Sequence, residues 1–145
     1  AVTEFRYISD GLRNVNGPQG LPLTKPPYGR ISAVDLATGE YQRVRANAQG
    51  IRQHIIDMGI ADPGPVGVVN VAPLLVTKSL LFQAINDGVP VLRAMDKTTG
   101  ETIADIDLPA IPQGAPMTYM IDDKQYISIA SGGGSDAKLI TLSLP

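Results

Sequence analysis

Hydrophobic and polar residues alternate most clearly near the end of the chain. Ile127 and Ile129 oppose Ser128 and Ala130, and Ile140, Leu142 and Leu144 oppose Thr141 and Ser143, the period of two expected of a strand with one buried face. From Gly29 onward the chain consists of short runs rich in β-branched and aliphatic side chains, each stopped by turn residues. They predict strands over 30–35, 40–46, 73–77, 79–85, 90–95, 102–108, 116–121, 125–131 and 138–144. Asn86-Asp87-Gly88 and Asp122-Asp123-Lys124 read as hairpin turns between such runs. Only 48–58 has helical spacing, with Ile51, Ile55 and Met58 in line. Residues 1–28 are different: Gly11, Asn14, Asn16, Gly17, Pro18, Gly20, Pro22, Pro26 and Pro27 leave little room for regular pairing. They predict an irregular lead-in that needs a surface to lie against.

Comparing the chain with itself gives a stronger signal. Ala33-Val34-Asp35-Leu36-Ala37-Thr38-Gly39-Glu40 recurs as Ala94-Met95-Asp96-Lys97-Thr98-Thr99-Gly100-Glu101, with the shared core A-x-D-x-x-T-G-E. The mechanics are those of a hairpin turn. A strand ends at Asp, whose carboxylate caps the turn backbone, Thr adds its hydroxyl, and Gly takes a positive φ before the next strand. All-strand repeats of about 40–50 residues mark propellers and other stacked arrays. The excess over that period falls in an insertion at 46–70.

Composition agrees with a turn-rich, all-β chain. There are 15 glycines and 12 prolines in 145 residues, and only 18% of residues are charged, against a usual glycine-plus-proline share of roughly 12%. With no cysteine, disulfides, thiol nucleophiles and cysteine metal sites are excluded. The net charge of −2 gives no general field for nucleic acid. It hides an asymmetry, about +3 over residues 1–54 and about −5 beyond; the scattered positives read as a solvated face. No apolar stretch approaches the ~20 residues of a membrane span, since Asn70, Pro73, Lys78 and Gln83 interrupt the longest one, Val66 to Ile85. A start at Ala1, with no charged segment and apolar stretch behind it, reads as a processed chain or a piece of a longer one.

Several motifs together resemble the pyrroloquinoline-quinone (PQQ) dependent dehydrogenases, quinoproteins built on an eight-bladed propeller. They are Gly20-Leu21-Pro22, Pro26-Pro27-Tyr28-Gly29, the two D-x-x-T-G-E turns, Pro73-Leu74-Leu75-Val76-Thr77 with Leu80-Leu81-Phe82, and Leu108-Pro109. Ala115-Pro116-Met117-Thr118-Tyr119, then Lys124-Gln125-Tyr126-Ile127 and Gly132-Gly133-Gly134, complete the set in family order. The resemblance is to the family's C-terminal region. It implies an all-β partial propeller: about two to three four-stranded antiparallel blades over 29–145, completing a larger eight-bladed ring behind the 1–28 lead-in. The family usually has a tryptophan four positions after each turn Gly, packed between blades. Here those positions are Arg43 and Ala104, so looser blade junctions are expected, by ~150–250 Å² of packing area per missing ring.

The resemblance further implies alcohol, polyol or sugar oxidation with PQQ and Ca²⁺, in a periplasmic or secreted protein. The family's base and metal ligands lie upstream of the matched region, so no catalytic or metal-ligating residue is assigned here. A larger propeller chain is the expected partner, holding most of the cofactor, with a redox partner possible besides. Asn70 and Val71 stand where relatives approach the quinone, although Val71-Ala72 replaces the family's usual pair of glycines. Gly132, Gly133 and Gly134 are assigned to the substrate entrance, against the alternative of a plain surface connection. The lone His54, with Asp57 nearby, reads as a surface or capping residue. Lys25 and Arg30 read as solvated charge, and Asp10, Asn14 and Asn16 as turn formers. The alternative reading of the whole is a non-catalytic structural or interaction subunit with a decayed quinone site. A stand-alone ligand-binding β-domain ranks third, because sheet edges would be left open.

Overall fold

A computed structural model describes residues 16–69 and 73–143. Nine strands carry most of the chain: β1 (Arg30–Val34), β2 (Tyr41–Ala46), β3 (Leu74–Val76), β4 (Leu80–Asn86), β5 (Pro90–Asp96), β6 (Thr102–Asp107), β7 (Met117–Ile121), β8 (Lys124–Ser131) and β9 (Lys138–Ser143). They form three antiparallel sheets, β1-β2, β3-β4-β5-β6 and β7-β8-β9. The expected all-β partial propeller is what the chain forms, although only the middle sheet has four strands. The helical pattern at 48–58 yields one short helix, α1 (Arg52–Asp57). No helix among the described residues is long and apolar enough to cross a membrane.

The repeated turn folds identically in both copies. Asp35 Oδ1 accepts from the Ala37 and Thr38 amides at 2.8 and 3.3 Å, and Asp96 Oδ1 from Thr98 and Thr99, both at 2.7 Å. Thr38 and Thr99 hydroxyls accept from the Glu40 and Glu101 amides. Gly39 and Gly100 sit at φ +76° and +71°, a left-handed conformation that a side chain would strain. The backbone bonds to Thr99 and Thr98, with a smaller contribution from Arg43, hold the Asp96 carboxyl below its ordinary pKa. Even the irregularity repeats, with register shifts at Ala33/Val34 and at Ala94/Met95. Thus β1-β2 are the counterparts of β5-β6. Between β7 and β8 the connection is the two-residue turn Asp122-Asp123, both at positive φ, as a tight hairpin demands.

The middle sheet is covered on both faces. Phe82, Ala84, Leu92 and Ala94 pack with Leu108 and Ile129 toward the third sheet, while Ile85 and Val91 pack with Ala48 on the other side. Burial of consecutive residues Leu81 to Ile85 follows, and it explains why apolar residues occupy adjacent positions here, interrupted by the buried Gln83, instead of alternating. Strand β6, at the outer edge, is exposed along its whole length.

The first two sheets are joined by a hydrogen-bonded grip at Arg43, the position where the resemblance would place a tryptophan. The Arg43 guanidinium donates to the carbonyls of Thr98 and, at 2.9 Å, Lys97, both in the second D-x-x-T-G-E turn. It lies flat against Gly100, where a Cβ would sit 2.7 Å from Arg43 Nε. Arg93 pairs across strands with Asp105 through two bonds of 2.8 Å.

Two outcomes follow. Arg43→Ala should lower stability by about 1 kcal/mol, with Arg43→Lys intermediate because a point charge cannot span two carbonyls; urea unfolding midpoints read this. The Arg93 bond holds the Asp105 carboxyl below its ordinary range, so its stabilisation is complete above about pH 4 and is lost as pH falls through the depressed value. Acid unfolding followed by circular dichroism should show that loss in the native protein and a shallower one in Asp105→Asn.

Candidate functional site

Between β2 and β3 the chain makes a long excursion, residues 47–69, which returns on itself. Its neck is closed by the buried Asn47 side chain, whose Oδ1 accepts from the Val68 amide at 2.9 Å while Nδ2 donates to the Val68 carbonyl at 3.4 Å. Backbone bonds extend the closure: Gly67 N to Ala48 O, Val66 N to Gln49 O, Tyr28 N to Val66 O and Asn47 N to Gly29 O. This pairing requires backbones closer than side chains permit. A Cβ on Gly29 would lie 2.0 Å from Val68 O, one on Gly67 2.0 Å from Gly29 O, and one on Gly50 2.1 Å from Gly67 O. Farther out, Arg52 pairs with Asp62, which also accepts from the Gly64 amide at 2.9 Å. The Arg52 bond first, then that amide, hold the Asp62 carboxyl down to about 2.

Asp87, in the β4–β5 turn, accepts from the Gln49 and Gly50 amides at 2.8 and 3.0 Å. The end of β2 therefore meets the β4–β5 turn, just as Arg43 ties its start to the β5–β6 turn. Leu80 and Gln125, near the starts of β4 and β8, line one cavity, so the third sheet runs the same way. The excursion, the β4–β5 turn and the 131–138 loop consequently share one end of the sheets. A cavity of about 300 Å³ opens there, lined by Tyr28, Ile51, Val68, Val69, Asp87 and Gly88 among others.

Asn70 and Val71, the residues assigned to the cofactor, lie outside the described residues, as do Asp10 and Asn14. The residue before them, Val69, is part of the cavity wall. Of the entrance glycines, Gly132 is held tightly: it is at φ +78°, a Cβ would lie 2.4 Å from Asp136 O, and its amide donates to Ile111 O at 2.8 Å. Gly133 and Gly134 have open space around them. Beside them the Ser131 hydroxyl is buried with no partner among the described residues. His54 Nε2 is 3.1 Å from the Gln19 carbonyl, a bridge from α1 to the lead-in, whereas Asp57 accepts from Gln53. Lys25 and Arg30 are exposed, and Asn16 makes an isolated bridge with Pro22.

Ca²⁺ needs several converging oxygen ligands and PQQ needs cations for its carboxylates. Among the described residues no three His, Asp or Glu side chains converge on one point, and both Asp87 oxygens are committed to backbone amides. These residues therefore do not fit the metal or a polyanionic quinone by themselves. They supply a wall of backbone and apolar groups.

Sequence reading gave no role to Asn47, Gly50 and Gly67, and took Asp87 only as a turn residue and Gly29 only as part of the P-P-Y-G motif. The available signal was that Gly50 and Gly67 bracket the excursion without belonging to turn dipeptides.

The profile described as "Glucose/ethanol/alcohol dehydrogenase, beta-propeller domain", of the PQQ class, matches residues 4–127. A probable quinate dehydrogenase (quinone) of Xanthomonas campestris pv. juglandis is 32% identical over 159 aligned positions, covering 100% of this chain and 18% of its own. Quinoprotein glucose dehydrogenase A of Acinetobacter calcoaceticus is 33% identical over 80% of this chain and 14% of its own. The glycerol dehydrogenase large subunit of Gluconobacter oxydans is 30% identical over 79% and 16%. The chain thus spans less than a fifth of the length of these relatives. No solved structure gives a significant match.

The glycine contacts make a differential prediction. Gly67→Ala, which adds both a left-handed side chain and a backbone clash, should cost roughly 3–5 kcal/mol. Gly88→Ala, at φ +90° but with nothing within 4 Å, should cost only about 1–2 kcal/mol. Urea titrations of the two variants side by side measure the difference.

Proposed function

The chain belongs to the glucose/ethanol/alcohol dehydrogenase β-propeller family of PQQ proteins, and from that premise we propose that it is the C-terminal part, or a small subunit, of a dehydrogenase oxidising an alcohol, polyol or sugar. Blades over 29–145, with the 46–70 insertion and the 1–28 lead-in, complete a ring whose other segments hold the catalytic base, Ca²⁺ and most of the PQQ. Bound PQQ would supply the two-electron oxidation of the alcohol to a carbonyl. The role of this chain is to position the approach to Asn70 and Val71 at the cofactor and to place Gly132, Gly133 and Gly134 at the substrate entrance. The periplasm or the secreted space is the proposed location.

One observation carries this reading: the sheets are incomplete at both flanks. Strands β1 and β2 are counterparts of the outer half of a four-stranded sheet, and they leave Tyr41 68% and Val44 46% exposed. At the other flank β9 has no neighbour on its far side among the described residues, and Leu139 is 70% exposed. Open strand edges and bare apolar faces call for further blades. The short match within much longer relatives supports the same reading.

Isolation of the native protein should bring down a larger propeller polypeptide or show these residues as part of one. Adding PQQ and Ca²⁺ to that assembly should give alcohol- or sugar-dependent dye reduction. A stable, monodisperse monomer of the 145 residues would overturn the partnership. Cofactor binding without dye reduction by any alcohol, polyol or sugar would favour the non-catalytic subunit.

A further inference from the structure

The two sheet junctions are built from equivalent positions and end up unequally filled. Arg43 and Ala104 each stand four residues after the glycine of a D-x-x-T-G-E turn. At the first junction the long Arg43 side chain spans to the neighbouring turn, and the remaining cavity is about 60 Å³. At the second, Ala104 reaches nothing, and a cavity of about 270 Å³ stands between the middle and third sheets.

That second cavity has the chemistry of an aromatic-ring site. Its floor and walls come from Phe82, Leu92, Ile106, Ile127 and Leu142, and no charged side chain lines it. Leu92 is 0% and Phe82 8% exposed, whereas Ile106 is 39% exposed, so the floor is buried and one side opens to solvent. A hydrocarbon-lined cavity of about 150 Å³ already takes up benzene; this one has room for a larger ring. Polarity enters at one side, where Gln125 and Ser143 join the lining. Gln125 donates its Nε2 to Thr118 Oγ1 at 2.9 Å, which fixes the amide and leaves Oε1 as an acceptor.

We propose that the junction at Ala104 binds a small, flat, uncharged aromatic molecule with one hydrogen-bond donor, of phenol or indole size. The ring lies between Phe82 and Leu92 of the middle sheet and Ile127 and Leu142 of the third, and its N–H or O–H donates to Gln125 Oε1. Affinity comes from filling space over the buried floor and removing the exposed Ile106 wall from water, and the single acceptor sets orientation.

Titration of the purified native protein with 5-fluoroindole, followed by ¹⁹F NMR, tests this. Saturable binding is expected, with fluorobenzene, which lacks the donor, several-fold weaker. Ala104→Trp should fill the space, raise the melting temperature and weaken 5-fluoroindole binding at least tenfold. If that variant does not fold, Ala104→Leu should weaken binding more modestly. Absence of saturable binding up to the solubility limit, or unchanged affinity in the folded variant, overturns the proposal.

Discussion

The structure depends on a place where backbone packs directly on backbone. Gly29, Gly50 and Gly67 bring three segments of chain within distances that any Cβ would forbid, and the buried Asn47 amide satisfies the Val68 backbone on both its donor and acceptor sides. Buried peptide groups have to be paired, and here one side chain and three absent side chains make the pairing possible. The consequence is positional. A 23-residue excursion between β2 and β3 returns to its starting point, so β3 begins beside β4 instead of wherever a free loop would leave it.

Asp87 extends that constraint to the neighbouring sheet. Its carboxylate caps two amides at the start of the excursion, tying the β4–β5 turn to the excursion. At the opposite end, the D-x-x-T-G-E turn does a second job. Having spent its amides on the Asp carboxylate, it presents the Lys97 and Thr98 carbonyls outward, and the Arg43 guanidinium takes them. A planar fork suits two adjacent carbonyls in a way an ammonium does not. One blade junction is therefore held by polar bonds at its rim, in a chain without tryptophan.

Under the proposed function, this chain serves as scaffold and wall. The excursion and the β4–β5 turn meet at one end of the sheets, and that end offers backbone, Tyr28 and apolar side chains with no gathered acids among the described residues. A site assembled from several blades divides its labour in this way: ligands for charge on some segments, shape and water exclusion on others. Exposed apolar residues such as Tyr41, Val44 and Leu139 lie at both flanks, where the proposed further blades would cover them.

Local chemistry was legible in the residues. The strand pattern, the turn at Asp122-Asp123-Lys124 and the repeated D-x-x-T-G-E turn each depend on residues a few positions apart; the Asp and Thr bonds of the repeated turn formed as read, while Lys124 joined β8 and left a two-residue turn. The family was legible for the same reason, since its motifs are turns and strand ends in a fixed order. The helix came out shorter than its apolar spacing suggested, because only Ile55 of that stripe is fully buried and no side chain caps its start. What tertiary structure alone decided were contacts between residues far apart in the chain: Asn47 with Val68, Asp87 with Gln49 and Gly50, Arg43 with the second turn. No periodicity records those pairs. Gly29, Gly50 and Gly67 show the limit most clearly, for a glycine in a sequence announces freedom, and only the folded backbone shows that here it meets a distance at which no other residue fits.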